Sequence, residues 1–189
     1  EVAIFDDGLQ DKSINYDISF VCFNTLNWIG NGMTIPAGPL REKISNLKNY
    51  NNIFLNGNLE NLDYLKSKLL EINSNLKIFV GAYEIINLNE FDKNEKYLVF
   101  SGIGNHKTFV AMLKASGLKI SKDLEFPDHY NYNQNDIEKI LSEADKLKCK
   151  VITTEKDYLR TQIISLNKIK YIKSELKIID EEKLLQIIL

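Results

Sequence analysis

Short apolar runs recur along this chain, each closed by a glycine, a charge or a turn, and they alternate with longer stretches in which apolar residues return every three or four positions. The runs at residues 2–5, 18–23, 52–55, 97–100, 120–126 and 149–152 are too short for helices and rich in β-branched and aromatic residues, so they predict buried strands of the parallel kind. Helical spacing governs 59–73, where Leu62, Leu65, Leu69 and Leu70 form a stripe expected in the core, and 107–116, which stops at Gly117. It also governs 135–148, where Ile137, Ile140, Leu141, Ala144 and Leu147 would be the buried face, and the final segment 181–189. A shorter helix is expected at 45–51. Residues 76–88 read as one extended β-rich stretch long enough to link two lobes, and 168–172 and 177–179 as short late strands. Strand and helix in alternation mean an α/β protein built from two doubly wound units.

Composition narrows the function. The 189 residues are 44% hydrophobic and 26% charged, as in an ordinary globular chain, with a net charge of −2. That balance argues against duplex nucleic acid as a partner and gives no support for strong attraction to anionic lipid. No apolar run approaches the roughly 20 residues that span a bilayer. Cys22 and Cys149 lack metal-ligand spacing and read as buried, reduced thiols. His106 and His129 lie too far apart to suggest a metal site. The sequence opens at Glu1 without a methionine, almost inside a strand, which leads us to expect a further N-terminal portion.

Candidate chemistry sits where strands end. The first apolar run passes into Asp6-Asp7-Gly8, and carboxylates at a strand's carboxyl end can hold Mg²⁺ together with phosphate oxygens. Gly8 would permit a sharp turn or a close approach to a ligand. On spacing alone a plain surface turn is the simpler reading. Residues 30–42, GNGMTIPAGPLRE, combine glycines and prolines that stiffen the backbone. Pro39 could open a helix, making its N-terminus an anion seat beside a bidentate Arg41. Equally, the segment could be a crossover with Arg41 paired to an acidic neighbour. Residues 101–105, SGIGN, resemble a dinucleotide-binding turn only loosely, and a tight strand-to-helix turn with His106 exposed is the better reading. In 126–130, FPDHY, His129 beside Asp128 could orient a group or accept protons near neutral pH. TTEKD at 153–157 puts hydroxyls and charges on a second sheet rim.

Taken together and in order, DDGLQ, GNGMTIPAGPLRE, SGIGN, FPDHY and TTEKD resemble the tetraacyldisaccharide 4′-kinases, the lipid A 4′-kinases of Gram-negative bacteria. The resemblance extends over most of the chain and implies the C-terminal two-thirds of such an enzyme. It implies a truncated P-loop NTPase-like parallel sheet (1–75), a β linker (76–96), a second, smaller Rossmann-like α/β domain (97–167), and a return strand with a C-terminal helix packing on the first domain (168–189). The implied reaction is ATP-dependent phosphorylation of the 4′-hydroxyl of an acylated glucosamine disaccharide 1-phosphate, on the cytoplasmic side of the inner membrane, with peripheral attachment through the N-terminal region. By motif, Asp6 and Asp7 correspond to Mg²⁺-associated carboxylates and His129 to a histidine assisting the catalytic aspartate. Gln10, Asn31, Pro39, Arg41, Glu42, Glu155 and Asp157 correspond to substrate or nucleotide contacts. The chain departs from the family in having no GxxxxGK[ST] loop and no upstream catalytic aspartate, and in carrying Asn24 and Asn27 where an Asp and an Arg are usual. A fragment inactive alone is therefore expected. The alternative is a non-catalytic relic or binding module of the same fold.

Overall fold

The computed structural model describes residues 2–11, 13–57, 59–161 and 168–188. The chain divides into two compact units, Glu1–Ala82 with Ile178–Leu189, and Tyr83–Lys177. The expected close of the second domain at 167 and the last helical residue, Leu189, lie outside the described residues.

In the first unit, β1 (Phe20–Asn24) and β2 (Asn52–Asn56) run parallel in the register Phe20↔Asn52 to Asn24↔Asn56. β3 (Lys77–Ile85) pairs parallel on the other side of β2. The connection from β2 to β3 carries α1 (Leu62–Ile72), as parallel strands require a crossover. Leu65 and Leu69 on α1 are buried against Phe23, Ile53, Leu55 and Leu76. Leu70, expected in that stripe, is exposed, and Ile72 takes its place. Residues 62, 65, 69 and 72 share one helix face, whereas 70 is turned about 100° from 69.

Two further expectations for the backbone of this unit fail. Residues 2–5 form no strand, and Ile4 is 91% exposed. Among the described residues they pair with no neighbouring strand, and Phe5 packs edge-on to Tyr16 at 5.6 Å between ring centroids. Nor does a helix start at Pro39. The Leu40 N–H donates to the Met33 carbonyl and its own carbonyl accepts from the Ile35 N–H, a bridge that holds the backbone extended. The helical turn that follows is a six-residue 3-10 segment, Ile44–Asn49.

The second unit holds a parallel sheet in the order β5-β4-β6-β7, formed by β4 (Lys96–Ser101), β5 (Lys119–Glu125), β6 (Lys150–Thr154) and β7 (Ile169–Ile172). α2 (His106–Ala115) follows β4, α3 (Gln134–Leu147) follows β5, and α4 (Glu155–Thr161) follows β6. β4 is central and its YLVFS residues are buried, so its side chains feed two cores. Tyr97 and Val99 pack with Phe109, Val110 and Leu113 of α2, and Leu98 and Phe100 with Ile137, Ile140 and Ala144 of α3. Leu147, at the C-terminal end of α3, is exposed instead of buried. α3 opens with a reciprocal capping box between Asn133 and Asp136. α2 closes with Leu118 N–H to the Leu113 carbonyl and Gly117 N–H to the Lys114 carbonyl, the paired bonds of a Schellman end.

Residues 168–172 were expected to return along the linker, but Ile169–Ile172 pairs parallel with β6 inside the second unit. The strand beside β3 is β8 (Ser174–Ile178), after which α5 (Glu181–Ile188) completes the chain. Ile169 and Ile172 of β7 are buried, while β8 is largely exposed.

Candidate functional site

Two clusters of motif residues form, one in each unit. In the first, Asp7 and Arg41, 34 positions apart in sequence, meet in a planar fork, Nη1 to Oδ1 and Nη2 to Oδ2, both at 2.7 Å. Arg41 Nη1 also lies 3.4 Å from Gln10 Oε1. Of the two readings of Arg41, its pairing with an acidic neighbour is the arrangement found. Asp7 itself adopts φ 59°, a left-handed conformation that aspartate tolerates better than most residues. For Gly8, read as permitting a sharp turn or a close approach to a ligand, the structure shows a close approach to a side chain: a Cβ there would sit 2.8 Å from the Tyr16 hydroxyl, which donates to the Gly8 carbonyl.

This cluster faces an open cleft of about 1,090 Å³ lined by Asp6, Asp7, Gln10, Pro39, Arg41 and Glu42 among others. Cys22 also faces it and is exposed, not buried as its apolar flanks suggested. It lies on edge strand β1, where Phe23 turns into the core and Cys22 turns away. Its thiol pKa is pushed up by partial burial and by the Asp6 carboxylate. Glu42 accepts from Asn46 Nδ2 at 2.9 Å. Asn31 shapes its own loop: Nδ2 donates to the Ala37 carbonyl and Oδ1 accepts from the Met33 N–H. The side chain is exposed, and its amide has a second N–H and a second lone pair beyond these two bonds.

In the second unit SGIGN, FPDHY and TTEKD converge on one peptide, that of Gly102. Its N–H donates to Asp157 Oδ2 at 3.1 Å, and its carbonyl accepts from the His129 N–H at 3.0 Å and Arg160 Nη1 at 3.3 Å. A side chain at Gly102 would be tight, since a Cβ would lie 3.0–3.1 Å from the Pro127 carbonyl, Tyr130 and the Tyr132 hydroxyl, and these neighbours would have to give by a few tenths of an ångström. Asp157 is 0% exposed and also accepts from Thr154 Oγ1 at 2.7 Å and Arg160 Nη1 at 3.2 Å. It is a buried brace, which corrects its reading as a substrate or nucleotide contact. Glu155 is exposed in the first turn of α4, outside this cluster. His129 is 72% exposed in its side chain, with φ 61° and Nδ1 3.0 Å from Arg160 Nη2.

His106, expected to be exposed, is buried between Ser101 Oγ at 2.6 Å and Asp123 Oδ2 at 3.1 Å. Ser101 is buried too, so this chain of hydrogen bonds ties β4 to α2 and β5 and presents no accessible nucleophile. The Tyr132 hydroxyl is buried without a well-formed hydrogen bond. Burial above all, and then the Asp157 carboxylate, raise its pKa strongly. Such a hydroxyl costs stability. Tyr132→Phe is therefore expected to leave the protein as stable or to gain up to about 1 kcal/mol, measured by urea unfolding; a loss of that size would show that the hydroxyl is bonded after all.

The whole sequence, residues 1–189, matches the family described as LpxK: Tetraacyldisaccharide-1-P 4′-kinase. The chain belongs to the tetraacyldisaccharide 4′-kinase family. Among its relatives, the tetraacyldisaccharide 4′-kinase of Pelagibacter ubique (strain HTCC1062) is 59% identical over 184 residues, covering 97% of this chain and 59% of that protein. The enzyme of the same name from Rickettsia bellii (strain OSU 85-389) is 39% identical over 160 residues, 84% of this chain and 48% of that one. A crystal structure of LpxK from Aquifex aeolicus in complex with ATP has the same fold, with a TM-score of 0.57 at 20% identity. It is covered over 55% of its length and this chain over 96%. The chain thus spans about half the length of the curated 4′-kinases it matches.

Arg160 and Tyr132 escaped the reading of the sequence of this 4′-kinase family member, and Thr154 was read only as one of the rim hydroxyls of TTEKD. Arg160 could have been found, since it stands one helical turn after Asp157 and i, i+3 positions share a face.

Proposed function

We propose that this chain carries part of the machinery of a tetraacyldisaccharide 4′-kinase, which transfers a phosphoryl group from ATP to the 4′-hydroxyl of a tetraacyldisaccharide 1-phosphate. The observation that carries the reading is that motifs far apart in sequence bond to one another: Asp7 to Arg41 in one unit, Gly102 to His129 and Asp157 in the other. In phosphoryl transfer the protein's contribution is positioning and charge neutralisation. The first cluster offers both, a guanidinium fork of the shape that grips phosphate and two carboxylates at one turn.

The residues fit a Mg²⁺ ion of the kind that takes one or two carboxylates and completes its shell with water and phosphate oxygens. Among the described residues no group of three or more His, Cys, Asp or Glu side chains gathers to cage a metal by itself. Asp6 would hold the ion directly, and Asp7 would join it when the Arg41 fork transfers to phosphate. When bound, the ion neutralises phosphate charge. Arg41 would grip a phosphate, Gln10 and Glu42 would line the same cleft, and His129 would present a hydrogen bond to an anionic oxygen. Asn24, one of the departures from the family, accepts from the N–H groups of Leu26 and Asn27, a turn that an aspartate would make equally well. That substitution therefore gives the relic reading no support.

No helix among the described residues is long and apolar enough to cross a membrane. We propose further that the whole enzyme works at the cytoplasmic face of the inner membrane, where its lipid substrate would be met, attached peripherally by a part of its length that this chain does not cover. The test is to join the chain to the part of the Pelagibacter ubique relative that it does not cover and assay 4′-phosphorylation with ATP and Mg²⁺. The joined protein is expected to be active and the chain alone inactive. In the joined protein His129→Gln should lower kcat on the order of 10²-fold, the cost of disturbing one hydrogen-bond donor to developing charge. Absence of product from a folded joined protein would overturn the proposal.

A further inference from the structure

We infer that Arg160 is a positioning residue that holds His129 in one tautomer, protonated on Nε2, and thereby makes it a hydrogen-bond donor and not a proton acceptor. The functional half of this inference rests on the kinase reading above; the tautomer does not.

The argument starts from donor and acceptor counts. A guanidinium has only donors, so the His129 Nδ1 that stands 3.0 Å from Arg160 Nη2 must turn a lone pair toward it. In the neutral ring the proton is then on Nε2. Arg160 is itself fixed at its other nitrogen, where Nη1 contacts Asp157 Oδ1 at 3.2 Å and the Gly102 carbonyl at 3.3 Å. Asp157 is in turn held by the Gly102 N–H and the Thr154 hydroxyl. A buried carboxylate therefore anchors one arm of the fork, and the other reaches out to an exposed imidazole. Lysine, a point charge on a flexible stem, lacks that pre-organised planar span.

The backbone converges on the same result. The His129 N–H lies within hydrogen-bond distance of the Gly102 carbonyl and of Asp128 Oδ1, both at 3.0 Å, while φ is 61°. The ring is thus located from its main chain and from Nδ1 together. Nε2 stands 3.9 Å from Asp128 Oδ2, too far for a hydrogen bond. Its N–H stays available to an outside acceptor, which by chemistry is an anionic oxygen, carboxylate or phosphate. The lone pair a general base would use is already taken at Nδ1.

The test reads the ring directly. The chain has two histidines, so imidazole ¹⁵N spectra near pH 8, above the ordinary histidine range, contain two rings, and His129→Gln assigns them by removing one. His129 is expected to show a pyridine-type Nδ1 and a pyrrole-type Nε2. In Arg160→Met both resonances should move toward the averaged values of a freely exchanging ring. His106, held by Ser101 and Asp123, should stay put and report that the variant is folded. If the variant does not fold, the wild-type spectrum decides alone. A wild-type His129 protonated on Nδ1, or averaged as in a free imidazole, overturns the inference, as does a folded Arg160→Met whose spectrum is unchanged. The activity assay separates the two claims. If the joined protein phosphorylates its substrate equally well with His129→Gln, the kinase role of His129 falls. The tautomer is then judged by the spectrum alone.

Discussion

Replacing Asp157 by alanine is expected to cost the second unit about 3 kcal/mol, because it breaks a buried charge pair by removing one partner. The carboxylate is fully buried and serves both oxygens: Oδ2 takes the Gly102 N–H and the Thr154 hydroxyl, Oδ1 takes Arg160. Alanine leaves an arginine, an amide and a hydroxyl facing a void. Asparagine should be nearly as damaging. Its single carbonyl can satisfy one side only, and its NH₂ then confronts donors on the other. Hydrogen exchange of the β4 and β6 amides measures this, with protection expected to fall on the order of 10²-fold in Asp157→Ala. Unchanged protection at Gly102 would show that the brace is not what holds the three motifs together.

The second large effect is catalytic. Asp7→Asn in the joined protein is expected to lower kcat on the order of 10²–10³-fold, the usual cost of removing one electrostatic contact to developing charge. Two roles of the carboxylate are lost at once. It is a candidate oxygen ligand for the ion, and with both oxygens it aligns the Arg41 fork. Asparagine keeps the left-handed φ of 59° that Asp7 adopts, so the turn should survive and the loss should fall on chemistry. Circular dichroism matching the parent would confirm that division.

How much of this could be read from residues alone depends on the range over which the causes act. Strand and helix positions in the second unit follow local rules, and β4, α2, β5, α3 and β6 begin and end within two residues of their patterns. Gly117 and the Asn133–Asp136 pair act within one helical turn. The errors came where long-range pairing decided. Residues 2–5 have the composition of a buried strand, yet a strand exists only with a neighbour to bond. Pro39 could have opened a helix had the Leu40 amide and carbonyl not been claimed by the Met33–Ile35 backbone. Asp157 looked like a rim carboxylate because it follows a strand end, but Gly102, 55 positions earlier, draws it inside. The motif residues were visible, whereas the division of labour among them was not. Whether a polar side chain braces a loop or meets a ligand depends on partners distant in sequence.

The most direct test of the central claim is the rate of ATP-dependent 4′-phosphorylation by the joined protein, with Asp6→Asn and Asp7→Asn each set against the parent at saturating Mg²⁺. The account predicts that both substitutions depress the rate by about 10²-fold or more while folding is retained. Parental rates in both folded variants would contradict it, since the carboxylate pair at the cleft would then have no part in phosphoryl transfer.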